Sequence, residues 1–261
     1  MNSKFLLPFL LTITFTIQIR AQQEYPNSPP EVSPMPMQPE MTEIWEPEVE
    51  KIIPAKVLGD APSDAIILFN GNNLDQWVSR NDPSQPAPWK IVDGLMEVVP
   101  GSGYIQTKLK FGDCQFHLEF SAPDIVDGHG QGRGNSGVFF QNRYELQILD
   151  SYNNRTYRNG QAASIYKDHA PLVNAMRGPT DWNSYDVIYT APRFKADGRL
   201  DTPARITVLH NGVVVQNNST INGLTLYIGL HNYPEAHGED VITLQDHGNK
   251  TQFRNIWVRR L

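Results

Sequence analysis

From Ala65 onward the chain consists of short β-forming runs separated by turn residues, and this pattern constrains the fold more than any other feature. The run WKIV is separated from LMEVV by Asp93-Gly94, and ITVLH is separated from VVVQN by Asn211-Gly212. Asn-Gly between two such runs is the strongest hairpin signal that a sequence carries. No stretch shows a sustained helical period of apolar residues. The sequence therefore predicts an all-β fold, a two-sheet antiparallel sandwich of about a dozen strands.

Length, charge and cysteine content exclude several classes of protein. The 261 residues allow one large β domain or two small ones. The net charge of −6 argues against a nucleic-acid partner, because binding to phosphates needs clustered Lys and Arg. The single cysteine, Cys114, can form neither an intrachain disulfide nor a Cys-rich metal site.

Residues 1–21 are typical of a secretory signal peptide. Lys4 provides the charged start, an apolar stretch runs from Phe5 to Ile17, and Ala21 is a small residue suited to cleavage. The apolar stretch is too short to span a bilayer comfortably, so an uncleaved anchor is the weaker alternative. We therefore expect export to the periplasm or the medium, and a mature chain without a membrane span.

Residues 22–62 contain nine of the twenty prolines and no hydrophobic period. This composition predicts a Pro-rich linker. Its last part, IWEPEVEKIIP, has enough apolar residues to pack along the domain as an N-terminal strap, although a partner-binding tail is the alternative. The strap leads into a single predicted domain over residues 63–261.

Side chains alternate between the two faces of a strand, so the runs can be divided into faces. In CQFHLEF one apolar row contains Cys114, which is therefore predicted to be a core residue and not a nucleophile. In NSGVFFQ and YELQILD an apolar row again lies opposite a row with polar members. Such polar rows must face either solvent or a binding cleft.

Three polar residues of YELQILD are candidates for chemistry. Glu145, Gln147 and Asp150 stand at offsets zero, two and five. With one bulged residue, all three would point the same way. We therefore expect two carboxylates and an amide in one groove.

Two further segments carry reactive side chains. HGQGRGNSGVF surrounds Arg133 with glycines, but a strand follows it, whereas phosphate-binding loops open a helix. The run Gln245-Asp246-His247 suits a general base, a metal ligand or a turn cap. Asp and Asn residues at 150–154 leave open an oxygen-rich site for a divalent cation. Other aromatic and polar groups suited to sugar include Tyr166, Trp182 and His231.

Several long motifs together resemble the 3-keto-disaccharide hydrolase family. They are GRGNSGVFFQNRYELQILDSYNN, WNSYDVIYTAPRF, PARITVLHNGVVVQNN and ITLQDHGNKTQFRNIWVRRL, and the resemblance spans residues 63–261. It implies a concanavalin A-like jelly roll, of the lectin and glucanase type, whose concave face binds carbohydrate. The implied activity is cleavage of glycosides already oxidised to a ketone at carbon 3, through proton abstraction at carbon 2, elimination and hydration.

Under this resemblance each candidate residue has an expected role. His247 or Glu145 would be the base, and Asp246 or Asp150 would orient it or bind a cation. Possible partners of the substrate oxygens and hydroxyls are Arg133, Gln147, Gln245 and His231, and candidate sugar platforms are Trp182 and Tyr166. A divalent cation that polarises the ketone would stabilise the enolate directly.

Two other functions fit the same pattern. A retaining glycoside hydrolase of laminarinase type carries Glu-x-Asp-x-x-Glu, and Glu145, Gln147 and Asp150 match its offsets. Here an amide replaces the central acid and Asp replaces the last Glu. A non-catalytic carbohydrate-binding module is the second alternative, because a fold does not imply an activity.

Overall fold

The computed structural model describes residues 36–124 and 126–261, and its regular structure is almost entirely β. The predicted signal peptide and residues 22–35 of the linker lie outside the described residues. Within these described ranges, only short 3₁₀ turns are helical, at Pro39–Thr42, Gly130–Gly132 and Arg158–Gly160. The strands are β1 Ile66–Phe69, β2 Trp77–Ser79, β3 Lys90–Val92, β4 Leu95–Glu97, β5 Ile105–Phe111, β6 Cys114–Ser121, β7 Ser136–Phe140, β8 Tyr144–Ile148, β9 Asn183–Thr190, β10 Arg193–Phe194, β11 Leu200–Thr202, β12 Arg205–His210, β13 Val213–Thr220, β14 Asp240–Leu244 and β15 Gln252–Arg260.

Two antiparallel sheets form the sandwich, which confirms the predicted fold class of a two-sheet jelly roll. The large sheet has the order β13-β12-β9-β6-β15-β4-β3, with β1 paired to β15. The small sheet has the order β2-β5-β14-β7-β8, and β10 and β11 form a separate hairpin. Apart from the hairpin β7-β8, neighbours in the small sheet come from distant parts of the sequence, so the sheet brings residues 104, 145 and 245 to one surface.

The hydrophobic core fills the space between the two sheets. The apolar row that begins at Cys114 is fully buried, as its alternation predicts. Phe140 of the small sheet stacks on Tyr189 of the large sheet with ring centroids 4.8 Å apart, and it meets Phe116 edge-on at 5.5 Å. Aromatic pairs in these geometries add stability beyond the area that they bury.

The two hairpins predicted from Asp93-Gly94 and Asn211-Gly212 are both present. They connect β3 to β4 and β12 to β13. All four turn residues have positive φ, between 52° and 78°. A two-residue type I′ turn requires positive φ at both of its central residues, which explains why Asp-Gly and Asn-Gly occupy these positions.

The described residues divide into two units, 36–50 and 51–261. The first contains one 3₁₀ turn, and no helix among the described residues is long and apolar enough to cross a membrane. Within the second unit, residues before the first strand contact the large sheet through their backbone. The Gly59 carbonyl accepts hydrogen bonds from Trp257 Nε1 and Asn255 Nδ2 at 2.8 and 3.0 Å. The side chain of Ile53, by contrast, is largely exposed.

A buried histidine, His117, lies beneath Gly59 and pairs with two carboxylates. His117 Nδ1 is 2.7 Å from Asp186 Oδ1, and its Nε2 is 3.6 Å from Glu119 Oε1. Its ring stacks on Trp257. Burial alone would lower the pKa of His117, but the hydrogen bonds to Asp186 and Glu119 outweigh it and raise the pKa to about 9.

We expect this histidine to make folding stability depend on pH. Because the pKa of His117 is higher in the folded state than the unfolded value of about 6.5, its contribution is complete below pH 6.5 and is lost as the pH rises through about 9. The loss should be on the order of 3 kcal/mol. Urea unfolding between pH 6 and 10 measures this loss. In His117→Gln the free energy of unfolding should vary less with pH. A wild-type free energy of unfolding that is constant over this range would contradict the assignment.

Candidate active site

A cavity of about 320 Å³ lies on the outer face of the small sheet. Because Val138 and Leu146 point into the core, their neighbours on β7 and β8 point outward, and these form the cavity floor. This cavity, called here the Glu145 cavity, is lined by Tyr104, Asn135, Phe139, Glu145, Gln147, Tyr166, Thr225, Tyr227, Gln245 and His247.

Glu145 is the buried carboxyl group of the floor. Only 5% of the residue is exposed. Burial raises the pKa of Glu145 to about 8, since desolvation disfavours the charged form. There is room for the carboxyl group because the neighbouring strand β7 has a glycine at this point. A Cβ on Gly137 would lie 2.5 Å from Glu145 Oε1. The group is therefore poised to exchange a proton near neutral pH.

Two amide side chains that line the same cavity are held in fixed orientations. Gln147 Nε2 donates to Gln131 Oε1 at 3.1 Å and to Asn135 Oδ1 at 3.3 Å. Gln245 Nε2 donates to the Tyr104 hydroxyl oxygen at 3.0 Å. The Oε1 atoms of both glutamines are buried without a hydrogen-bond partner among the described residues. Unpaired buried acceptors are costly, so two of them beside a cavity indicate a ligand with hydroxyl groups.

A second cavity of about 400 Å³ adjoins the first, and we call it the tyrosine cavity. It is lined by Gln131, Gly132, Tyr157, Tyr166, Lys167, Tyr227 and His247. Tyr166, Tyr227 and His247 line both cavities, so the two form one continuous groove. His247 is exposed and stands at their junction.

Asp150, Arg133 and Trp182 line a different cavity, of about 630 Å³. The expectation that Asp150 shares a groove with Glu145 and Gln147 is wrong, because β8 ends at Ile148 and the chain turns away. Asp150 Oδ2 instead accepts a hydrogen bond from Arg133 Nε at 2.7 Å.

Asp246 and His231 also lie outside the lining of the groove. The Asp246 oxygens accept from the backbone N–H groups of Gly103 and Gly248, at 3.0 and 2.9 Å. This is the turn-cap role and does not orient His247. His231 Nδ1 is 2.9 Å from the Leu224 carbonyl oxygen and fixes a loop. Of the ten predicted site residues, Glu145, Gln147, Gln245, His247 and Tyr166 come together.

The sequence did not predict nine residues that line the groove: Tyr104, Gln131, Gly132, Asn135, Phe139, Tyr157, Lys167, Thr225 and Tyr227. Asn135 stands in the glycine-rich HGQGRGNSGVF segment, directly before β7, so its place beside a predicted strand was a usable signal. Tyr104 and Tyr227 come from loops 123 residues apart, and no local pattern connects them.

Among residues 36–124 and 126–261, no three His, Cys, Asp or Glu side chains are grouped so that they could hold a metal ion. In particular, Asn154 in the oxygen-rich loop donates through Nδ2 to the carbonyl oxygens of Gly130 and Asp150.

Comparisons with known proteins give the context of this site. The model of the 3-keto-alpha-glucoside-1,2-lyase-like domain matches residues 64–259. A solved structure named "putative glycosyl hydrolase" from Parabacteroides distasonis is 48% identical, with a TM-score of 0.82 over 86% of this chain and 97% of that one. Another structure of the same name and organism is 18% identical, with a TM-score of 0.53 over 76% and 94% of the two chains, and so shares the fold. No match was found among curated proteins.

The contact between Gly137 and Glu145 predicts the effect of one added methyl group. Gly137→Ala should push the carboxyl group towards solvent, because its Cβ would lie 2.5 Å from Glu145 Oε1. The pKa of Glu145 should then fall from about 8 towards the model-peptide value of about 4.3. An NMR titration of the ¹³C-labelled carboxyl group measures the change.

Gly132→Ala is the matched control, since a Cβ there meets nothing within 4 Å. If Gly137→Ala leaves the Glu145 titration where it is in the wild type, Gly137 does not set the position of this carboxyl group.

Proposed function

The chain belongs to the 3-keto-alpha-glucoside-1,2-lyase-like family and is a carbohydrate-active enzyme, and we propose that its groove cleaves glycosides that carry a ketone at carbon 3. The observation that supports this most directly is Glu145, a buried carboxyl group with a pKa of about 8 that lines the same cavity as two residues with unpaired amide oxygens. That arrangement suits the transfer of a proton from carbon within a ring that has hydroxyl groups.

The chemistry follows from the ketone. A carbonyl at carbon 3 acidifies the hydrogen on carbon 2, because the resulting carbanion is delocalised as an enolate. A base takes this proton, and the enolate electrons then re-form the carbonyl and a carbon 1–carbon 2 double bond while the oxygen on carbon 1 leaves with its bonding pair. Addition of water to that double bond completes a net hydrolysis. The enzyme must supply a base, an acid and a partner for the enolate oxygen.

Glu145 is the base in this proposal. A carboxylate of ordinary pKa is a weak base towards a C–H bond, and burial strengthens it by raising its pKa. A sugar seated in the 320 Å³ cavity would lie directly over it. The proton goes to a carboxylate oxygen that has no competing ion pair among the described contacts.

His247 is the proton donor to the leaving oxygen. In a glycoside that extends through the groove, the scissile bond joins a sugar in the Glu145 cavity to a leaving group in the tyrosine cavity. The leaving oxygen then lies at the junction, where His247 is placed. An imidazolium there can protonate the oxygen as the bond breaks, which leaves the neutral ring.

Tyr104 is the partner of the enolate oxygen. Its hydroxyl oxygen already accepts from Gln245 Nε2, so its own proton remains available for donation. The free Oε1 atoms of Gln147 and Gln245 accept from sugar hydroxyls. Donor and acceptor positions are thus both fixed before substrate binds.

The structure supports this proposal better than it supports a retaining hydrolase or a non-catalytic binding module. Retaining hydrolysis needs two carboxyl groups about 5–5.5 Å apart. Glu145 is the only carboxyl group that lines the groove described above, since Asp150 faces another cavity and pairs with Arg133. A binding module needs no proton-transfer group, and a desolvated carboxyl group without an ion pair would only destabilise it.

Export completes the proposal. The N-terminal pattern of residues 1–21 supports a periplasmic or secreted enzyme whose substrate is a glycoside or oligosaccharide outside the cytoplasm.

Cleavage of a 3-keto-glucoside by the purified mature protein in heavy water tests the reaction. NMR should show the sugar released with deuterium at carbon 2, and the unoxidised glucoside should stay intact because its carbon 2 hydrogen is not acidic. Glu145→Gln and His247→Ala should each lower the rate by about a hundredfold or more.

Glu235→Gln, an exposed carboxylate outside the groove lining, is the control and should keep the wild-type rate. Cleavage of the unoxidised sugar would favour the laminarinase-like alternative, and binding of both sugars without turnover would favour the binding module.

The pH dependence of kcat/KM tests the role of Glu145. Since the base must be ionised, and burial holds its pKa at about 8, the residual kcat/KM of His247→Ala on the 3-keto-glucoside should rise with pH along a limb centred near 8, because this variant lacks the second proton-transfer group. A limb that falls through pH 8 in His247→Ala would instead make Glu145 the acid of the reaction.

A further inference from the structure

We propose that the tyrosine cavity selects leaving groups that consist of an aromatic ring with an anionic substituent, and that Lys167 recognises the charge. This inference rests on the proposed function, because it assigns the leaving-group half of the same groove. It adds a substrate class that the sugar-binding half does not determine.

Lys167 places a positive charge among three aromatic rings. Its Nζ lies 4.0 Å from the ring centroid of Tyr227, and 5.8 Å from the centroids of both Tyr157 and Tyr166. The Tyr157 and Tyr166 hydroxyl oxygens are 2.6 Å apart, which fixes the two rings relative to each other. The cavity of about 400 Å³ that these residues line is large enough for a single substituted ring.

The ammonium group has donors to spare. One of its three N–H bonds is directed to the Tyr227 carbonyl oxygen. No carboxylate lies within ion-pair distance of Lys167 in the described part of the chain. The neighbouring Asp168 is engaged elsewhere, since its two oxygens accept from the backbone and side-chain nitrogens of Asn222 at 2.7 and 2.6 Å.

The charge balance makes this unpaired cation unusual. The whole chain has 22 basic and 28 acidic residues, so a carboxylate partner would be easy to provide. Lys167 is instead the one Lys or Arg among the described residues that line the tyrosine cavity, and none of these residues is an Asp or Glu. Its positive charge attracts an anionic substituent and disfavours a cationic one.

The tyrosines explain why the charge should be carried on a ring. Tyr227 is 73% exposed, which leaves a large part of its ring free to contact a ligand. Aromatic rings pack on each other in offset or edge-to-face geometry. A flat ring between Tyr157 and Tyr227 would place a ring substituent next to Lys167, where a charge-assisted hydrogen bond can form.

Two substrates that differ only in one substituent test the proposal. They are the 3-keto-glucosides of 3-hydroxybenzoate and of 3-hydroxybenzamide, which carry an anionic and a neutral group of similar size. We expect kcat/KM of the wild type to favour the benzoate about fivefold, the amount expected for one partly exposed ion pair. Lys167→Met should bring the ratio close to one, and Lys167→Arg should keep most of the preference. Comparing ratios between variants cancels the different leaving abilities of the two phenols.

Binding of the free leaving groups separates this inference from the proposed reaction. Calorimetry with 3-hydroxybenzoate and 3-hydroxybenzamide requires no turnover, and the wild type should bind the benzoate more tightly while Lys167→Met should not. Equal kcat/KM values for the two substrates and equal affinities for the two phenols in the wild type would overturn the leaving-group assignment, even if the 3-keto-glucosides are cleaved. Selective binding of the benzoate with no cleavage of either glucoside would overturn the proposed function instead.

Discussion

The packing of the two sheets against each other determines where every groove residue lies. Phe140 is held between aromatic rings of the large sheet, and this fixes the inner face of β7. Beneath β8, the Tyr185 hydroxyl donates to the Gln147 carbonyl oxygen at 2.8 Å, so a residue of the large sheet fixes the backbone of the groove floor. Since strand side chains alternate, a rigid inner face also fixes the outer face. The positions of Glu145 and Gln147 are therefore a consequence of the core.

The parts of the site that the sequence predicted are those that depend on this alternation. Glu145 and Gln147 lie opposite an apolar row of their own strand, and the period of two is sufficient to place them on one surface. Asp150 shows the limit of the argument, because the period holds only while the strand continues. Its end at Ile148 depends on tertiary contacts of the chain that follows, and these are not visible in the spacing of three residues.

The remaining groove residues depend on which strands become neighbours. Tyr104 meets Gln245 because β5 pairs with β14, although 141 residues separate the two side chains. Tyr227 reaches the groove from a loop whose course no periodicity describes. The strand pattern and the family resemblance both predicted the sandwich. Only the pairing of the strands, however, shows which candidate residues line which cavity. Long-range pairing is thus the information that a single sequence did not supply.

The unpaired oxygens of Gln147 and Gln245 have a consequence for how oxidised a substrate can be. An amide oxygen can only accept, and both side chains have their nitrogens committed, so neither can rotate to become a donor without losing its hydrogen bonds. A sugar hydroxyl can satisfy such an oxygen, whereas a ketone in the same place would set two lone pairs against each other. The groove floor therefore favours an alcohol over a carbonyl at the ring positions that face Gln147 and Gln245, and the proposed 3-keto substrate would be repelled by these amide oxygens if one of those carbons were oxidised as well.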